Sequence, residues 1–323
     1  MWSRMALALV LAAASSSAFE APAPPAELPF EFCEGMLWVQ VHVRGSAVLL
    51  SFLLDSGAGM SVINLPTLQR IGHLRGRRLT VAGVGATATG YWPQRLSLTA
   101  ENLPLPKDFL AVDLSELSQA CNRQVDGLIG KDFFDEHCVQ IDFAAKKIRL
   151  LRSGQVPEGL QSPGPGRAGS PLPAADGRQA AKVLQTIAPE ERIALPLKAQ
   201  AGALRIPIRV NGGALQWVRL DTGCAVGLHW VSADIPASAC HPTVSVALTS
   251  KIVPVTQTTV QIGTATFETV PTEVHQKPIF AGEAGLLGNG LLSRFQRVTV
   301  DAPAGRLILE RSPKSPVETQ SRF

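Results

Sequence analysis

Two tripeptides constrain this chain more than any other feature: Asp55-Ser56-Gly57 and Asp221-Thr222-Gly223. Each ends an apolar run, Ala47 to Leu54 in the first case and Ala214 to Leu220 in the second. Each run follows another strand-like run, Leu37 to Val43 or Leu204 to Val210, across the turn Arg44-Gly45-Ser46 or Asn211-Gly212-Gly213. Asn-Gly between apolar runs is a strong hairpin signal, because both residues tolerate positive φ. Downstream the parallel continues. The first half carries Gly127-Leu128-Ile129-Gly130, then Val139 to Asp142 and Ile148 to Leu150; the second carries Gly285-Leu286-Leu287-Gly288, then Val298 to Asp301 and Leu307 to Leu309. An ordered repeat of this kind predicts two copies of one structural unit. Short apolar runs cut by Gly, Pro and Asn, with few helical periods, make each copy an all-β lobe.

The 323 residues are enough for about two domains, each with its own core. Between them lies a Pro-, Gly- and Ser-rich stretch, 153–190, which reads as a linker. The expected lobes are 30–152 and 191–311, followed by a tail at 312–323. With 17% charged residues and a net charge of +4, the chain lacks the basic footprint of a nucleic-acid binder. No apolar run reaches the ~18 residues that cross a bilayer.

The residues around the triplets resemble a known family. The segment Leu53-Leu54-Asp55-Ser56-Gly57-Ala58-Gly59-Met60-Ser61-Val62-Ile63, with its later Gly-Leu-Ile-Gly partner, is similar to the signature of the pepsin and retropepsin aspartic proteases. Leu220-Asp221-Thr222-Gly223 and Gly285-Leu286-Leu287-Gly288 repeat the pattern in the second half. One Asp-Ser/Thr-Gly triplet alone is weak, since ordinary usage produces one in roughly a tenth to a fifth of chains this long. Two in matched contexts are specific. The resemblance implies two related acid-protease β-barrel lobes and an endopeptidase that hydrolyses peptide bonds with an activated water. It implies no metal and no cofactor.

The residue types support that chemistry on their own. Two carboxylates within hydrogen-bonding reach cannot both ionise, so Asp55 and Asp221 would share one proton. The ionised member can deprotonate a water while the protonated one polarises a carbonyl. Gly57 and Gly223 let backbone N–H groups approach the carboxylates. The hydroxyls of Ser56 and Thr222 can bond backbone groups, and the resemblance makes them a brace between the two loops. Val81 to Gly90, with Gly83, Val84 and Gly85 at its centre, reads as a hairpin covering the cleft. Val244 to Val255 in the second half has no glycine cluster, which favours one flap and a single-chain monomer with pseudo-two-fold lobes. Asp126, Asp132, Asp142 and Asp301 read as solvated or capping groups, and the histidines as structural.

Arg4, the apolar stretch Met5 to Ala14 and then Ser15-Ser16-Ser17-Ala18 have the pattern of a secretory signal peptide, 1–18. A Pro-rich lead, 19–29, is expected to be extended and uncovered. Arg outnumbers Lys and Ala is abundant, which together suggest a bacterial protein acting in the periplasm or secreted. In that setting disulfides persist, and short separations favour Cys121–Cys138 and Cys224–Cys240, with Cys33 left over. The set Cys224, His229, Cys240 and His241 does not have a zinc-site spacing. Cys224-Ala225-Val226-Gly227 departs from the run that follows Asp55. That departure leaves two alternatives open: a peptide-binding module without catalysis, and a protease whose lobes pair in a homodimer.

Overall fold

The computed structural model describes residues 25–83, 86–93, 95–154, 192–232, 241–245 and 251–311. The expected signal segment, most of the lead, nearly all of the linker and the tail lie outside the described residues. Strands dominate, and the described helices have only four to six residues.

Both expected hairpins form. Met36–Val43 pairs antiparallel with Leu49–Leu54, setting Trp38 opposite Leu53. Ala203–Val210 pairs with Gln216–Leu220, setting Ile206 opposite Val218. Asn211 and Gly212 turn the second hairpin at φ 49° and 71°, the left-handed pair that Asn-Gly supplies cheaply. The returning strands are buried on both faces at their ends, because each is flanked by a further strand. Gly127–Ile129 runs parallel to Phe52–Leu54, and Gly285–Leu287 lies parallel beside Arg219–Leu220. These pairings carry the chain into the triplets: Asp55 N–H donates to Ile129 O at 2.9 Å, and Asp221 N–H to Leu287 O at 2.9 Å.

A six-stranded sheet ties the lobes together. Ala26–Pro29, Cys138–Asp142 and Lys147–Leu151 come from the first lobe. Arg192–Pro196, Arg297–Asp301 and Arg306–Glu310 come from the second. The seam pairs Cys138–Asp142 antiparallel with Arg297–Asp301, Val139 opposite Val300, with two strands of each lobe outside it. One apolar core runs through this sheet, from Leu54 and Ile129 to Val139, Val300, Leu220 and Leu287. The end of the lead belongs to it: Leu28 is 2% exposed, so Ala26–Pro29 is sheet and not an uncovered arm.

Two sequence expectations need correction here. Cys121 and Cys138 are free thiols. Cys121 follows the helix Ser115–Ala120 and packs on the cleft-side cluster with Trp38 and Leu114, whereas Cys138 opens a strand of the interlobe sheet. Closeness in sequence lowers the entropy cost of closing the loop, but it does not bring a residue at a helix end to face one on a strand. Burial beside Asp301 pushes the Cys138 thiol up to about 12, so it is inert. Asp126 and Asp301 hold backbone amides, as capping groups do, but they are buried and not solvated. Asp126 is buried and accepts from Ser51 N, Thr67 Oγ1 and Arg70 Nη2, at 2.9, 2.7 and 2.8 Å. Asp301 accepts from Ser153 Oγ, Gly154 N and Arg306 Nη2. Each buried charge is satisfied by several donors, which is the condition for keeping it in a core.

Candidate active site

The two triplets meet at the floor of a cleft between the lobes, and the contact is reciprocal. Ser56 N–H donates to Thr222 Oγ1 at 2.9 Å, and Thr222 Oγ1–H to Leu54 O at 2.9 Å. Thr222 N–H donates to Ser56 Oγ at 3.1 Å, and Ser56 Oγ–H to Leu220 O at 2.9 Å. Both hydroxyls are fully buried, so each bond is made away from competing water. Four bonds lock one loop against the other.

This lock brings the carboxyls of Asp55 and Asp221 into hydrogen-bonding contact. Their surroundings differ. Asp55 Oδ1 accepts from both Gly57 N and Ala58 N at 2.9 Å, while Asp221 Oδ1 accepts from Gly223 N at 2.8 Å. Burial pushes both carboxyls above the ordinary carboxylate range, and the Asp55 charge pushes Asp221 further. The two N–H donors on Asp55 favour its charged form, and two carboxyls this close titrate as a pair. Gly57 and Gly223 stand against the opposite carboxyls. A Cβ on Gly57 would lie 2.3 Å from Asp221 Cγ, and one on Gly223 would lie 2.3 Å from Asp55 Cγ. Neither glycine has positive φ, so it is space that excludes a side chain here.

A cationic group stands beside the pair, and sequence reading missed it. Arg219, two residues before Asp221, is 5% exposed and donates from Nη1 to Gly57 O at 2.7 Å, across the lobes. Its Nε bonds Glu283 Oε2 at 2.9 Å, Arg205 Nη2 bonds Glu283 Oε1 at 3.0 Å, and Phe280 stacks on its guanidinium. Two arginines on one glutamate leave a net positive charge near the dyad, and Arg219 draws both carboxyls back down. No local pattern announces Glu283, which lies far along the chain from Arg219. Breaking a buried ion pair by removing one partner costs about 3–5 kcal/mol. Glu283→Gln is accordingly expected to lower unfolding free energy by about that much, read from urea unfolding.

The cleft has a volume of about 730 Å³. Its first-lobe wall is apolar, made of Trp38, Val62, Leu110, Val112, Leu114 and Leu128. Arg77–Gly83 and Ala86–Trp92 form a hairpin whose residues Leu79, Thr80, Val81 and Ala82 line the cleft. Gly83 ends the first of these strands, while Val84 and Gly85 lie outside the described residues. In the second lobe, residues 252–262 add nothing to the lining.

Behind the second triplet, Cys224 is a free thiol, which overturns the Cys224–Cys240 disulfide; Cys240 lies outside the described residues. Its Sγ lies 3.2 Å from His229 Nε2. Burial near Asp221 raises the thiol well above its ordinary value, and burial lowers His229 to about 3. A neutral thiol beside a neutral imidazole is not an activated nucleophile.

Fold and cleft together define the two-lobe aspartic proteinase architecture. Among solved structures, the chain is similar to the aspartic proteinase from Irpex lacteus, with a TM-score of 0.52 and 14% identity over 91% of this chain and 99% of that one. At that identity the likeness is one of fold. No protein-family model matches the chain, and no curated protein matches its sequence.

Proposed function

We propose that the protein is an exported aspartic endopeptidase in which Asp55 and Asp221 activate a water against a peptide carbonyl. The observation that carries this reading is the contact of the two carboxyls at the cleft floor, both pushed above the ordinary carboxylate range. Asp55, ionised and held by the Gly57 and Ala58 amides, takes the proton of the attacking water. Asp221 gives its proton to the carbonyl oxygen as the tetrahedral carbon forms. The next transfers return a proton to Asp221 and protonate the leaving amine. The Arg77–Trp92 hairpin covers the extended substrate, and the apolar wall on the first lobe favours apolar side chains.

The pH dependence follows from the pKa directions. Activity needs the singly protonated pair, so the acid limb reports the second proton taken up by the pair and the alkaline limb loss of the shared one. Both groups lie above the ordinary carboxylate range, so the bell should be displaced toward neutrality relative to ordinary carboxylates. Removing the Arg219 charge should move both limbs to still higher pH, because that charge now holds both carboxyls down. Cleavage of a mixed peptide library, scanned over pH with a statine-type inhibitor as control, tests the reading. Inhibitor-sensitive internal cleavage supports it. A protein that binds peptides but cleaves none at any pH would instead be a peptide-binding module on this fold.

A further inference from the structure

Apart from the dyad, metal-ligating side chains converge in the second lobe. Leu228–Val231 runs parallel to Ala265–His275 with His229 opposite Glu273, and His275 follows Glu273 by two residues on the same face. His229 Nδ1 is 3.0 Å from His275 Nε2 and 3.1 Å from Glu273 Oε2; His275 Nε2 is 3.9 Å from that same oxygen. Tetrahedral zinc with bonds of ~2.0–2.2 Å holds its ligand atoms ~3.3–3.6 Å apart. The three separations straddle that edge length, so small side-chain rotations would complete the triangle.

We propose that His229, Glu273 and His275 form a divalent-cation site whose best match is Zn²⁺. Two imidazole nitrogens and one carboxylate suit a borderline ion, whereas Ca²⁺ and Mg²⁺ take oxygen cages. The ligands sit on paired strands, with His229 5% and Glu273 1% exposed, so the triangle is held by the sheet. The other nitrogen of His229 is held by Cys224 Sγ at 3.2 Å, and an Nε2–H donated there leaves the Nδ1 lone pair for the ion. In the metal-free protein, one proton must lie between His229 Nδ1 and His275 Nε2. On binding it moves to the other ring nitrogen of His275, so that both imidazoles ligate as neutral rings. His229 and Glu273 both line the cleft, giving the ion a route in and leaving a fourth position facing it. The site stands independently of the protease reading.

The test uses the full chain, stripped with a chelator and titrated with ZnCl₂ against a chromophoric competitor. One equivalent should bind, and His275→Ala and Glu273→Gln should each weaken binding at least tenfold. Co²⁺ added to the wild-type protein should give the visible absorption of four-coordinate cobalt, a readout that needs no variant to fold. Zinc binding that persists undiminished in both variants would assign it to other histidines and overturn the proposal. So would the absence of any stoichiometric binding, or cobalt spectra showing only six-coordinate ion.

Discussion

Replacing Asp55 or Asp221 by Asn is expected to lower kcat/KM for peptide cleavage by ~10²–10⁴-fold or more, the range that positioned acid–base groups supply. Asn keeps the shape of the carboxyl and can hold the Gly57, Ala58 or Gly223 amide. It cannot accept the water's proton or return one to the carbonyl. The double variant should be scarcely worse than either single one, because residues that act as a unit lose their function together. Loss of fold is not the cause expected. A carboxyl whose native pKa lies above its unfolded value binds its proton more tightly in the folded protein. Stability linked to it is then full below the unfolded value and is lost as pH rises through the native one. Asp221→Asn removes that loss, so its melting temperature should equal wild type near pH ~4 and exceed it at neutral pH. If Asp221→Asn keeps wild-type activity while Asp55→Asn is dead, the second lobe is not catalytic, and a homodimer built on Asp55 becomes the better account.

Gly223→Ala should be nearly as damaging by a purely steric route. The added methyl carbon would sit 2.3 Å from Asp55 Cγ, far inside contact distance. Asp55 cannot step aside without giving up the Gly57 and Ala58 amides, and the loop cannot retreat without opening the Ser56–Thr222 lock. A displacement of ~1 Å at reacting groups costs ~10²-fold in rate, and overpacking a tight interior costs ~1–3 kcal/mol. Steady-state kinetics and urea unfolding read the two losses separately. Wild-type activity in this variant would mean that the loops are not rigidly held.

What the sequence made legible was local. The hairpins follow from apolar runs and an Asn-Gly turn, and the triplets end strands whose Gly-Leu partners repeat in both halves. The interlobe sheet was not legible, because Val139 meets Val300 across about half the chain and nothing near either residue encodes the other. The buried end of the lead was hidden by the same distance, since Leu28 is covered by a strand ending at Leu151. Cysteine spacing misled, because it measures chain entropy and not where the fold points each side chain. Glu283 beside Arg219, and Glu273 beside His229, are single residues brought in from remote parts of the chain, and only folding places them.

The central claim is that Asp55 and Asp221 hold one proton between them, and a carboxyl-carbon NMR titration of the labelled wild-type protein, assigned with the two Asn variants, tests it most directly. Coupling predicts two linked steps, each moving both resonances, with the second well above the ordinary carboxylate range and one proton retained between them. Two independent titrations, each complete near the ordinary carboxylate value of ~4, would contradict it.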